Sequence, residues 1–276
     1  MNYAEIDATY AEIDAQTLAR LKAALTPLVG TQFGSLALPM VAIQAFEPSQ
    51  IGTIVGSLMD ALIPHLTDIP QVGLRKHAGI LGEREGYPDY LHQSGVRVEL
   101  KLLYIDNPGL QMKRPPTKRE PSARLTQKVT VKNVVPSTDA LLIIGYQLQP
   151  HATIPGALTP TIIELDVFSV IELVRARDDR LTSKGGRWFG NYETPCVLSR
   201  IGRSKVSRGE PVFVGSYGRK ESEGQDYNED TNFGKLARIP HFGLQQFLRH
   251  CVSRSVGYAV ANIEEESEQN ETADFV

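Results

Sequence analysis

Asp89, Glu99 and Lys101 carry the side-chain types needed for metal-assisted hydrolysis, and they lie close together in the chain. Asp89 follows Pro88, and Glu99-Leu100-Lys101 begins ten residues later. From Val96 to Leu102 apolar and polar residues alternate strictly. Side chains of a strand alternate faces, so Val96, Val98, Leu100 and Leu102 share one face, and Arg97, Glu99 and Lys101 the other. Gln93-Ser94-Gly95 supplies turn chemistry just before this strand. A segment leading back from that turn sets Asp89 on a neighbouring strand, beside Glu99. Two carboxylates at adjacent strand positions suit Mg²⁺, which prefers oxygen ligands. A lysine on the same face can position or deprotonate a water, or neutralise developing charge. Together these are parts for metal-assisted hydrolysis of a phosphodiester. The competing reading is an amphipathic strand whose Glu99 and Lys101 are solvated.

Pro88-Asp89, a spacer, and Glu99-Leu100-Lys101 at the end of an apolar strand resemble the PD-(D/E)XK nucleases, the fold class of many type II restriction endonucleases. The resemblance covers residues 70–175, counting the following strands. It implies an α/β fold of the restriction-endonuclease-like class: a mixed central β-sheet flanked by helices, here with an added C-terminal region rich in β-structure and loops. It implies Asp89 and Glu99 as ligands of Mg²⁺ and Lys101 as the group that orients or activates the attacking water. The substrate would be double-stranded DNA, cut at a specific sequence. In that family a helix precedes the catalytic hairpin and sometimes donates another carboxylate. Asp60 or Glu47 could do that, though each reads better as a plain surface acid. A helix also follows the lysine strand, with Gln127 and Lys128 as its polar candidates. Glu85 lies four residues before Asp89, on the same face of an extended chain, and is a reserve ligand. A palindromic target would call for a homodimer through the first or the last helix, because a two-fold protein matches a two-fold site. Two alternatives stay open: a nuclease of the same fold acting in repair or mobile-element excision, and a non-catalytic DNA-binding or assembly protein.

The bases fall in three places. Arg75 and Lys76 precede the motif. Residues 113–132 carry seven bases against Glu120 alone. Arg114, Lys118, Arg119, Arg124 and Lys128 are therefore candidate phosphate contacts, with a solvated basic loop as the alternative. Lys184, Arg187, Arg200, Arg203, Lys205 and Arg208 then lie among glycines, serines and aromatics that include Trp188. That composition suits base-edge and phosphate contacts and marks a candidate recognition region; the competing view is a surface lobe with an aromatic anchor. His77 and His92 have no partner at ligand spacing and read as solvated or structural.

The elements that must position these residues follow from periodicity and breakers. Residues 2–25 read as a helix opened by a near-exact seven-residue repeat, and Thr26-Pro27 stops it. Pro27 to Phe46 is a loop-like connection with a short apolar run. A helix over Gln50–Ile63 has Ser49 as its N-cap and Pro64 as its stop. Ser122 to Val134 can form another. Ala140 to Leu148 is apolar enough for a strand buried on both faces. The run from Thr161 starts as a strand, and Asp166 or Ser169 then caps a helix from Val170 to Arg177. Glu164 and Asp166 are a second acidic pair with no lysine beside them, and read as structural. Phe242 to Val256 is the last helix, and the acidic tail from Glu264 is expected to be disordered.

With 276 residues and a net charge of −3, the chain fits one large domain or two modest ones, and lacks the profile of a general nucleic-acid coat. The expected organisation is an N-terminal helical region (1–70), a catalytic core (71–178), a recognition region packed on it (179–262) and the tail (263–276). Cys196 and Cys251 have no metal-ligand spacing and read as free thiols. No export signal or membrane helix is recognisable, so a cytoplasmic protein is expected. Walker, dinucleotide, GxSxG and zinc patterns are missing from the sequence.

Overall fold

The computed structural model describes residues 11–46, 48–65, 72–77, 86–105, 123–125, 129–131, 133–183, 187–189, 194–196, 200–211 and 234–251. Strands β1 (Leu38–Pro39), β2 (Leu74–Lys76), β3 (Tyr90–His92), β4 (Arg97–Tyr104), β5 (Asp139–Pro150) and β6 (Ala157–Ser169) form one mixed sheet in the order β1-β6-β5-β4-β3-β2. Only β4 and β5 run parallel to each other. The described helices are α1 (Ala15–Leu25), α2 (Met40–Ala45), α3 (Pro48–Leu62), α4 (Val170–Ser183), α5 (Arg200–Ser207) and α6 (242–251). Strands β7 (Arg187–Phe189) and β8 (Thr194–Cys196) pair in a separate hairpin.

The expected doubly buried strand is β5. Its residues Ala140 to Ile144, Tyr146 and Leu148 are all buried, because each face of the sheet carries its own core. On one face Val98, Leu100, Leu142 and Ile144 meet Leu21 and Leu25 of α1 and Ile51, Val55 and Met59 of α3. On the other, Leu103, Leu141 and Ile143 meet Leu173 and Val174 of α4 and Leu244 and Leu248 of α6. The outer edge of β6 is covered in part by its own chain. Gly30 and Phe33 donate to the carbonyls of Ile162 and Pro160, and β1 pairs further along. An edge so covered offers few free groups to another strand.

Two expected helices are corrected. The first begins at Ala15, because the Asp14 carboxylate accepts the Thr17 N–H at 2.8 Å and caps it there. Residues 11–14 are not helical, and the first copy of the repeat lies outside the described residues. Ser122 to Val134 is not a helix where it is described. Leu125 N–H donates to the Gly234 carbonyl at 2.8 Å, and Leu236 N–H to that of Ala123 at 3.0 Å, so this stretch pairs as a short ladder. Arg177 of α4, wholly buried, holds it from beneath. Its guanidinium donates to the carbonyls of Val129 (2.8 Å) and Leu125 (3.3 Å) and to Asp178 (2.8 Å). Pro27 to Phe46, expected as a loop-like connection, contains strand β1 and helix α2, and α4 runs on past Arg177 to Ser183.

The ladder depends on Gly234. A Cβ there would stand 2.5 Å from the Leu125 carbonyl oxygen, which is backbone and has nowhere to go. Gly234→Ala is therefore expected to cost about 1–3 kcal/mol of stability. A thermal melt checks this as a drop of several degrees in Tm; an unchanged Tm would mean that the two segments do not pair.

Among the described residues no helix is long and apolar enough to cross a membrane. Cys251 is a buried free thiol.

Candidate active site

The site is built on the β3–β4 hairpin. His92 N–H donates to the Val96 carbonyl and Gly95 N–H to that of His92, both at 2.9 Å, closing a three-residue loop. The last loop residue, Gly95, sits at φ +86°, a left-handed conformation that glycine adopts without steric cost. The register then pairs Leu91 with Arg97 and Tyr90 with Val98. One step further along, Asp89 stands opposite Glu99. Counting from the hydrogen-bonded His92–Val96 pair, Asp89 and Glu99 occupy a non-hydrogen-bonded position, where side chains of an antiparallel ladder come closest. The Asp89 carboxylate accepts the Leu100 N–H at 2.8 Å, in place of a β3 carbonyl. On its other side the Asp89 carbonyl accepts the His77 N–H at 3.0 Å. The expected juxtaposition of Asp89 with Glu99 is thus formed.

Strand alternation puts Glu99 and Lys101 on the face of Leu103, which belongs to the second core. Glu99 is therefore not solvated, and retains only 6 % of its exposure. Lys101 Nζ donates to Glu99 Oε1 at 2.5 Å and to the Leu100 carbonyl at 3.0 Å. Glu99 Oε2 is buried with no hydrogen-bond partner. Burial pushes the Glu99 carboxyl up to about 7; the negative charge of Asp89 adds to the rise, and the Lys101 ammonium opposes it. Desolvation therefore outweighs an ion pair in direct contact. The result is two acids pressed together, one of them with an oxygen that nothing satisfies.

The other expected residues divide. Lys76 pairs with Tyr90 across β2 and β3, and its ammonium lies 4.2 Å from the Tyr90 ring centre. It also bridges Asp60 Oδ2 at 2.6 Å, while Tyr90 Oη donates to Asp60 Oδ1 at 2.6 Å. Tyr90 packs in the first core, on the face away from Glu99. Asp60 and Lys76 therefore pair with each other across the sheet from the site, so Asp60 does not add a carboxylate to it. Arg75 is exposed and shares the site's face, through the register Arg75, Leu91, Arg97. Arg124 is exposed on the ladder beside Lys235. Lys205 on α5 is half-buried, and Arg208 pairs with Glu210 at 2.6 Å, both half-exposed. Such a surface pair contributes little stability and leaves the arginine available. Glu47, Glu85, Arg114, Lys118, Arg119, Gln127, Lys128 and Lys184 lie outside the described residues, as do the side chains of Arg187, Arg200 and Arg203. His92 is buried and its Nδ1 meets Ser94 Oγ at 2.7 Å, a structural role. Glu164 and Asp166 are structural too, facing His250 at 3.3 Å and Lys22 at 2.8 Å.

Three residues beside the pair were missed. Tyr87 Oη donates to Asp139 Oδ2 at 2.6 Å, and Arg97 Nε lies 3.2 Å from Asp139 Oδ1. Each carried a signal. Tyr87 stands two residues before Asp89, Arg97 alternates onto the face of Glu99, and Asp139 is an acid at the mouth of an apolar strand.

Among the described residues no group of three or more His, Cys, Asp and Glu side chains gathers as a metal site. No protein-family model, curated protein or solved structure matches this chain.

Proposed function

We propose that the chain is a Mg²⁺-dependent endodeoxyribonuclease of restriction-endonuclease-like fold, which hydrolyses double-stranded DNA at a specific sequence as type II restriction enzymes do. The observation that carries this reading is the Asp89–Glu99 pair, with Glu99 Oε2 buried and unbonded and Lys101 in contact with Oε1. Mg²⁺ usually binds through one or two protein carboxylates and keeps several waters, so this donor set fits it. Asp89 and Glu99 would hold the ion. Bound there, it would supply charge stabilisation at the phosphate and a more acidic water. Lys101, tethered to Glu99 and to the Leu100 carbonyl, would orient or activate the attacking water. Arg75 and Arg97, on the same face, suit the flanking phosphates.

The order of elements supports the same reading. Helix α3 precedes the β3–β4 hairpin and the buried strand β5 follows it, as the resemblance implies, while the helix expected between β4 and β5 is not seen among the described residues. The reading goes with a cytoplasmic protein, and a two-fold target calls for a homodimer. One observation favours a second, non-catalytic reading: Lys101 already neutralises Glu99, as a structural ion pair would.

Digestion of unmethylated phage and plasmid DNAs with Mg²⁺, with Ca²⁺ and with EDTA separates the readings. Discrete fragments with Mg²⁺ alone, lost in Lys101→Ala, are the expected result. A smear points to a non-specific or structure-selective nuclease of the same fold. Intact DNA in every lane, together with no saturable Mn²⁺ binding, favours a DNA-binding or assembly protein.

A further inference from the structure

We propose that Tyr87, Asp139 and Arg97 form a positioning network that holds Asp89 at the distance from Glu99 at which the two can chelate one divalent cation. This rests on the metal-site reading above. The last β2–β3 backbone bond is made at Asp89, whose carbonyl accepts the His77 N–H, so something other than that pairing must fix Tyr87 and Pro88. Tyr87 does so from two residues away. Its hydroxyl anchors on Asp139, which opens β5 directly opposite Arg97 in the parallel register. The guanidinium of Arg97 lies 5.4 Å from the Tyr87 ring centre, and its Nε faces the same carboxylate.

Asp139 is a fixed post. It is 1 % exposed, and besides the Tyr87 hydroxyl it accepts the Val135 N–H at 2.8 Å and the Thr138 hydroxyl at 3.1 Å, with the Arg97 guanidinium as its ion-pair partner. A carboxylate this buried, already holding three hydrogen bonds and an ion pair, is shut off from a substrate or an ion, and moving it would strand its partners. It acts instead through Tyr87. Asp89 is then held at two points: its carboxylate by the Leu100 N–H, and its backbone by the tether on Tyr87 and the His77 N–H. Releasing the tether lets residues 87–89 swing away from β4, and Asp89 with them. Groups that orient metal ligands through hydrogen bonds commonly change affinity or activity about 10–100-fold when removed.

Tyr87→Phe tests this, because it keeps the ring and its contact with Arg97 and removes only the tether. Mn²⁺ is the probe, followed by electron paramagnetic resonance at a temperature where both proteins are folded. Wild type is expected to bind one Mn²⁺. Tyr87→Phe is expected to bind it about tenfold more weakly, with one more water on the bound ion. Asp89→Ala should give the same added water, since it removes the ligand outright. Asp139→Asn keeps an acceptor for Tyr87 and should fall between; it is also the second variant should Tyr87→Phe melt too low. A purely structural role would lower Tm and leave the hydration of the bound ion unchanged. Wild-type affinity and hydration in folded Tyr87→Phe would overturn the network while leaving the metal site intact. No saturable Mn²⁺ binding in wild type would overturn both.

Discussion

Asp89→Asn and Glu99→Gln each lower the Mg²⁺-dependent cleavage rate about a thousandfold, the several kcal/mol of charge stabilisation that a catalytic metal supplies. Neither loss comes from unfolding. Asparagine at 89 still offers an oxygen to the Leu100 N–H that Asp89 binds at 2.8 Å. Glutamine at 99 removes a buried charge that burial itself disfavours, so this variant should melt no lower than wild type at neutral pH. The two acids should differ from Lys101 in one respect. Substituting either carboxylate raises the metal concentration needed for half-maximal rate, because a ligand is lost. Lys101→Ala lowers the rate at saturating metal, because the lysine touches Glu99 Oε1 and the region where water would be activated. Single-turnover cleavage across a Mg²⁺ titration reads both effects. Cutting within tenfold of wild type at saturating Mg²⁺, by any of the three variants, would remove that residue from the catalytic assignment.

Much of this site was legible because a strand has the shortest period a sequence can show. Strict alternation from Val96 to Leu102 put Glu99 and Lys101 on one face, and a turn ending in glycine implied the hairpin that brings back Asp89. Strand β5 and the change from strand to helix at Val170 were legible for the same reason, because apolar runs are local signals, although Ser169, one of the two expected caps, leaves its Oγ without a partner. What failed was set by contacts distant in sequence. Ser122 to Val134 has helical spacing, but Arg177, far along the chain, takes the carbonyls of Leu125 and Val129, and Gly234 takes the Leu125 N–H. Asp60 has the right residue type for a metal ligand, yet α3 packs on the other face of the sheet, where Lys76 and Tyr90 claim it. The burial of Glu99 was hidden too, because alternation names a face without saying what covers it. Helices α4 and α6 pack on that face, turning an apparently solvated strand face into a dry one.

That dryness has a consequence for stability that runs opposite to an ordinary salt bridge. In the unfolded chain Glu99 titrates near its usual 4.5, and in the folded protein near 7. Below the first value both states are protonated and the group contributes nothing. Between the two, the unfolded chain gives up its proton while the folded protein keeps it, so stability falls as pH rises. Above the second the loss is complete, on the order of 3 kcal/mol for this one group. A divalent cation needs the ionised carboxylate, so it competes with this proton. Its affinity should rise about tenfold per pH unit up to neutrality and then level off. At pH 8, an ion at a hundred times its Kd would return about 2.7 kcal/mol, nearly all that ionisation removed. The expected result is a wild-type Tm that declines from pH 5 to pH 7 without metal and recovers at pH 8 on adding Mn²⁺. Glu99→Gln should lack both the decline and the recovery. If the two proteins shared one pH profile, and Mn²⁺ moved neither, Glu99 would be an ordinary ionised acid paired with Lys101, and the pair would have no need of a metal.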